Sequence, residues 1–218
     1  RRYTDSETLG IVEKVLATEL NHELVANIVE FAGRAMSLNF LSTNVLFGKP
    51  LTLQGKNGEH IELGRVGEIT EVDRLTIDNL SYAGQVPVIP SMAMGTDGEK
   101  LNINADTAAT AVAAAVNAEK LVVLSDIPGV LQDMKSPDSL IHSLTVSKAR
   151  ELIRSGTIAE GMIPKIEGCL DTLQKGVKKI HIIDGRLRHS LLLEIYTTSG
   201  VGTELVADSS KESVQQYP

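Results

Sequence analysis

The chain has 218 residues, 28 acidic and 21 basic, for a formal net charge of −7 with the five histidines neutral. Its length allows one large domain or two modest lobes, and with 42% hydrophobic and 22% charged residues it can bury a substantial core and need not be disordered. The acidic balance, the lack of a lysine-arginine block and an aromatic set of only four tyrosines and three phenylalanines exclude nucleic acid as the main partner, because phosphate-tracking surfaces need clustered positive charge and stacking platforms.

The longest uncharged run, Asn79 to Thr96, is interrupted by Gly84, Pro87, Pro90 and Gly95, so no membrane span is expected. Arg1-Arg2-Tyr3-Thr4-Asp5 lacks the apolar segment of a secretion signal, and a lone cysteine, Cys169, excludes an intrachain disulfide; a cytoplasmic protein is expected. The start without methionine suggests a piece of something longer.

Thr4-Asp5-Ser6-Glu7 has capping-box spacing, and Leu9, Val12, Val15 and Leu16 then recur at helical intervals, which predicts a helix to about Ala17. Asn21 is expected to cap a second helix, with Leu24, Val25, Ile28 and Val29 on one stripe and Gly33 as its left-handed stop. Leu51-Thr52-Leu53 and His60-Ile61-Glu62-Leu63 flank Lys56-Asn57-Gly58, the signature of a β-hairpin. A separate β segment is expected over Val66 to Val72, a helix from about Asp73 to Ala83 stopped by Gly84, and a buried strand at Val86 to Pro90.

An alanine-rich helix from Asn104 to Asn117 leads directly into the apolar strand Lys120 to Leu124. Helices are then predicted over Ser147 to Arg154, Gly161 to Lys175 and His189 to Tyr196, with strands at Ile180 to Ile183 and Gly202 to Val206. Strands alternating with helices imply an α/β fold with a mostly parallel central sheet sandwiched by helices. The texture changes near Asn117, giving expected lobes 1–117 and 118–208 and a polar tail 209–218.

The sequence holds no phosphate loop with Gly-Lys-Ser/Thr, no full Gly-x-Gly-x-x-Gly, no Gly-x-Ser-x-Gly elbow and no His-Glu-x-x-His. Its histidines, at 22, 60, 142, 181 and 189, are scattered, so no resident metal is expected. Asn102-Ile103-Asn104-Ala105-Asp106 stands at the mouth of a helix of small residues. Asn104 and Asp106 have a local explanation as cap and dipole complement, whereas Asn102 adds a donor and acceptor that the helix does not need. Ser125-Asp126-Ile127-Pro128-Gly129 follows a buried strand, where open α/β sheets collect ligands, and is equally a simple Pro-Gly turn. In Gly161-Met162-Ile163-Pro164-Lys165, a lysine follows the proline of a first helical turn, beside an apolar stripe where lysines ordinarily snorkel. Cys169, Met92 and Met94 read as packing.

Taken in order, Asn102-Ile103-Asn104-Ala105-Asp106, Leu124-Ser125-Asp126-Ile127-Pro128-Gly129-Val130 and Gly161-Met162-Ile163-Pro164-Lys165 resemble the amino-acid kinase family, and within it the N-acetylglutamate kinases. Arg2-Tyr3-Thr4-Asp5, His189-Ser190-Leu191-Leu192-Leu193-Glu194 and Gly200-Val201-Gly202-Thr203 extend the resemblance over nearly the whole chain. It implies ATP-dependent phosphorylation of the side-chain carboxylate of N-acetyl-L-glutamate in arginine biosynthesis, with Mg²⁺ held mainly by the ATP phosphates. By the same resemblance Lys165 neutralises the transferring phosphoryl group and Asp106 organises the catalytic lysines. Arg2 and Asn102 bind the substrate, tasks suited to a guanidinium fork and a two-sided amide. The nucleotide site is expected from Ser125, Asp126, Ile127, Pro128, Gly129, Val130 and Leu131 with Thr157, Ile158 and Ala159. The stretch His189 to Thr203 resembles that of relatives inhibited by L-arginine, which implies an effector site drawing on His189, Glu194 and Gly200, and a homo-oligomer, dimer or hexamer.

Two departures stand out. The family begins with a strand bearing a second catalytic lysine beside glycines and has a later glycine-rich turn; neither occurs in these residues, so the chain is expected to start inside the substrate lobe. Ser37 to Thr43 is also less glycine-rich than in relatives. Two alternatives stay open: a same-fold kinase acting on a carrier-bound or other amino-acid carboxylate, and a non-catalytic nucleotide- or arginine-binding fragment.

Overall fold

The computed structural model describes residues 3–54, 58–133, 136–158 and 160–208. The chain divides between Val116 and Asn117 into two compact units. Among the described residues, no helix is long and apolar enough to cross a membrane.

In the first unit, Asp5 rather than Thr4 caps the opening helix, its carboxylate accepting the Thr8 amide at 2.7 Å. Thr4 is committed elsewhere: its N–H donates to the Leu63 carbonyl at 3.1 Å and its own carbonyl accepts from Arg65 at 2.7 Å. One helical path then runs through α1 (Ser6–Val12), a π-helical stretch Glu13–Leu20 and α2 (Asn21–Glu30), where the sequence suggested two helices and a new cap. Asn21 keeps helical dihedrals because its buried side chain turns outward from the helix, donating to the Val88 carbonyl at 2.9 Å and accepting from the Ser37 hydroxyl. Asn39, also buried, donates to the Ala17 carbonyl at 2.6 Å within the π-helical stretch. The left-handed residue that ends α2 is Ala32, at φ 61°, not Gly33. Gly33 is required for space, since a Cβ there would sit 2.7 Å from Ile28 Cγ2.

The strands β1 (Ala35–Ser37) and β4 (Val86–Val88) pair in parallel. Between them lie β2 (Leu46–Gln54) and β3 (His60–Val72), the antiparallel hairpin expected from the sequence but longer on both arms. The segments expected separately around His60 and Val66 are one strand, with Gly64 at φ 66° within it. Lys56 and Asn57 of the expected reversal lie outside the described residues; Gly58 has φ 77°. Two further strands, β5 (Met92–Gly95) and β6 (Lys100–Asn102), close β2 and β3 into a barrel. Leu38, Leu46, Ile77, Leu101, Ile103 and Ala108 are buried in its main core. Helix α3 (Arg74–Tyr82) is capped by Asp73, which accepts from Thr76, and α4 (Ala105–Ala115) by Asn104, which accepts the Thr107 amide at 3.0 Å.

The second unit is a four-stranded sheet of β7 (Lys120–Ser125), β8 (Ser143–Thr145), β9 (Lys179–Asp184) and β10 (Thr203–Val206), ordered β7-β9-β10-β8. β7 runs parallel to β9 and β8 parallel to β10, while β9 and β10 are antiparallel. With α5 (Val146–Arg154), α6 (Ile163–Gln174) and α7 (Ser190–Tyr196), the unit completes the expected α/β class; its sheet is mixed, with the antiparallel β9–β10 pair between two parallel ones. Ile166, Cys169, Leu170 and Leu173 of α6 are buried as the helical stripe predicted, as are Ile180, Ile182 and Ile183 of β9. The polar tail 209–218 lies outside the described residues.

Candidate active site

The segment after β7 turns sharply at Gly129, whose φ of 142° belongs to glycine alone. Three bonds fix it. The Gly185 amide donates to the Ser125 carbonyl at 2.8 Å, the Val130 amide to Thr203 Oγ1 at 2.8 Å, and the Ile141 amide to the Val130 carbonyl at 2.9 Å. After α5, Gly156 at φ 73° folds the chain back so that the amides of Thr157 and Ile158 both reach the Leu152 carbonyl, at 3.1 and 3.3 Å. Ile127, Pro128, Gly129, Val130, Leu131, Thr157 and Ile158 therefore line one cavity of about 240 Å³, together with Met162, which the sequence reading had not included. That volume, with walls made almost entirely of apolar groups, suits a flat heterocycle better than a polyphosphate. Ser125 and Asp126 are outside the lining and bond one another at 3.4 Å; Ala159 lies outside the described residues.

Met162 immediately precedes α6, whose first turn carries Pro164 and the half-buried Lys165. A cation in a first helical turn works against the helix dipole.

In the first unit, Asn102 ends β6, paired with Val66 and Met92 on either side, and its Nδ2 donates to Thr4 Oγ1 at 3.2 Å. Among the described residues, that bond engages one of the two N–H groups of the amide. Arg65, next along β3, is flanked by Asp97 and Glu99, each at 3.6 Å. Asp106 lies half-buried in the first turn of α4, and Arg2 is outside the described residues.

The third group of expected residues gathers around Glu194. It is buried, with Oε1 2.6 Å from His181 Nδ1 and Oε2 accepting the amides of Val201 and Gly202 at 2.7 and 2.9 Å. Burial by itself would raise this carboxyl, but the His181 ring and the two amides outweigh it and hold the group below its ordinary value. Gly200, at φ 64°, lies against the same carboxylate: a Cβ there would sit 2.6 Å from Oε2. His189 is exposed, in a left-handed conformation before α7. His181 escaped the sequence reading because it sits inside an apolar strand; a polar residue among Ile180, Ile182 and Ile183 was the signal available. Among the described residues, no group of three or more His, Cys, Asp or Glu could hold a metal ion.

Residues 1–184 match the amino acid kinase family. The acetylglutamate kinase of Moorella thermoacetica is 44% identical over 209 residues, covering 94% of this chain and 71% of that protein. The acetylglutamate kinase of Acaryochloris marina is 45% identical over 206 residues, 94% of this chain and 70% of that protein. Among solved structures, N-acetylglutamate synthase from Neisseria gonorrhoeae, complexed with coenzyme A and N-acetyl-glutamate, superposes with a TM-score of 0.80 at 24% identity over 93% of this chain and 44% of that one. The same synthase complexed with coenzyme A and L-arginine gives 0.72 at 26% identity over 94% and 47%. With its α/β architecture and these matches, the chain belongs to the amino acid kinase family, in the acetylglutamate kinase branch.

Proposed function

We propose that the chain serves ATP-dependent phosphorylation of the side-chain carboxylate of N-acetyl-L-glutamate, giving N-acetyl-L-glutamyl 5-phosphate and ADP. The observation that carries this reading is the cavity lined by Ile127 to Leu131 with Thr157, Ile158 and Met162, in a chain 44% identical to an acetylglutamate kinase. The cavity takes the base of ATP. Mg²⁺ arrives on the nucleotide, with phosphate oxygens as its ligands, in keeping with the hard-oxygen preference of that ion.

In this reaction a carboxylate oxygen attacks the γ-phosphorus, the bond to the β–γ bridging oxygen breaks, and ADP departs with the electron pair. Little covalent work is asked of the protein; the transfer depends on alignment and on neutralising charge. Lys165 supplies positive charge to the transferring group, and Asp106 orients the cationic machinery. Asn102, held by Thr4, reads the acetylglutamate, with Arg2 on a substrate carboxylate. His189, Glu194 and Gly200 contribute to an L-arginine effector site in a homo-oligomer, Glu194 acting through the turn it holds because its oxygens are engaged within the chain.

Hydroxylamine trapping tests the chemistry, since it converts an acyl phosphate to a stable hydroxamate. With ATP and Mg²⁺, N-acetyl-L-glutamate is expected to yield hydroxamate far faster than glutamate, aspartate or aminoadipate, free or carrier-bound. Preference for any of those others would overturn the substrate assignment.

A further inference from the structure

We infer that Thr203 is a positioning residue for the nucleotide: its hydroxyl sets the cavity loop Ile127 to Leu131, and the His181–Glu194 pair holds Thr203 in its turn. This rests on the reading of that cavity as the nucleotide site.

Thr203 opens β10 and is fully buried. Its Oγ1 accepts the Val130 amide at 2.8 Å across 73 residues of sequence, in a buried setting where an amide without an acceptor is costly. The preceding residue is moulded to the same side chain: a Cβ on Gly129 would lie 2.5 Å from Thr203 Oγ1 and 3.0 Å from Thr203 N. The cavity wall at Gly129 and Val130 is thus shaped on Thr203, which does not itself line the cavity.

Behind Thr203, the turn at 200–202 is held more firmly than strand pairing needs. β10 already lies between β9 and β8, so its register is fixed by the sheet. Even so, the Glu194 carboxylate takes the amides of Val201 and Gly202, and His181 fixes its other oxygen. Desolvation offsets part of the attraction in a buried carboxylate–imidazole pair, so stability alone does not account for it. What it provides is position, passed from the turn to Thr203 and from Thr203 to the loop.

Two substitutions separate the hydroxyl from the packing. Thr203→Val keeps the shape and removes the acceptor; Thr203→Ser keeps the acceptor. Titration of each protein with Mg²⁺ and a non-hydrolysable ATP analogue is expected to show about tenfold weaker binding for Thr203→Val and a change within about twofold for Thr203→Ser, with N-acetyl-L-glutamate affinity unchanged in both. Amide exchange over 127–131 should quicken in Thr203→Val alone. Gly200→Ala, which pushes on the Glu194 carboxylate from outside the cavity lining, is expected to weaken the nucleotide in the same selective way, and it decides the matter if Thr203→Val does not fold. Nucleotide affinity unaltered in Gly200→Ala and Thr203→Val, or lost equally in Thr203→Ser and Thr203→Val, overturns the inference alone. An unaltered protein that binds no nucleotide overturns the reading of the cavity and the inference together.

Discussion

His181 Nδ1 stands 2.6 Å from Glu194 Oε1, while the second oxygen of that carboxylate holds two backbone amides. His181 faces Glu194 from β9, and Glu204 of β10, itself paired with Lys179, lies 3.9 Å from His181 Nε2. Because the Glu194 carboxyl titrates below its ordinary value in the folded chain, the stability it contributes is present in full above the unfolded value and is lost as pH falls through the folded one. Glu194→Gln should cost about 1–3 kcal/mol near pH 7, and the gap between variant and parent should narrow below about pH 4. Urea unfolding at several pH values checks this; parallel curves for both proteins would contradict it.

Gly129→Ala puts a methyl group onto Thr203 Oγ1 and Leu140 Cδ1, at 2.5 and 2.9 Å, in a backbone conformation that only glycine enters easily. It should destabilise the second unit by about 1–3 kcal/mol and weaken nucleotide binding more than that loss of folded protein explains. Thermal melts beside nucleotide titration give the comparison.

Lys165→Ala should lower kcat by about 10²- to 10³-fold with little change in either KM, as for removal of other charge donors aimed at a transition state. A fall confined to KM would make Lys165 a binding group instead.

Asn102→Ala should raise the KM for N-acetyl-L-glutamate by at least about tenfold, since a site built around a two-sided amide is left with polar groups lacking partners. Thr4→Val, which removes only the hydroxyl 3.2 Å from Asn102 Nδ2, should give a smaller rise in the same constant. Steady-state kinetics with each substrate varied in turn distinguishes these effects from loss of nucleotide binding.

Much of the second unit was legible in the sequence because its signals are local. The stripe Ile166, Cys169, Leu170, Leu173 and the glycine at 176, with φ 104°, define α6 and its end without help from elsewhere. The cavity shared by the loop after β7 and the residues at 157–158 follows from two local turns, at Gly129 and Gly156. What the sequence hid depends on distant partners. Asn21 looks like a cap until Val88 and Ser37 occupy its side chain, and Thr4 looks like one until β3 takes its backbone. The short strands Met92–Gly95 and Lys100–Asn102 carry too few residues to show a period and exist because β2 and β3 offer them edges. Thr203 and Val130, 73 residues apart, meet only in the folded sheet.

The most direct measurement of the central claim is ADP release, with Mg-ATP, by the protein that carries these residues, with and without N-acetyl-L-glutamate. Release that depends on N-acetyl-L-glutamate and is lost in Lys165→Ala is the predicted result. Release at the same rate without that acid, or none in a protein that binds both ligands, would contradict the assignment.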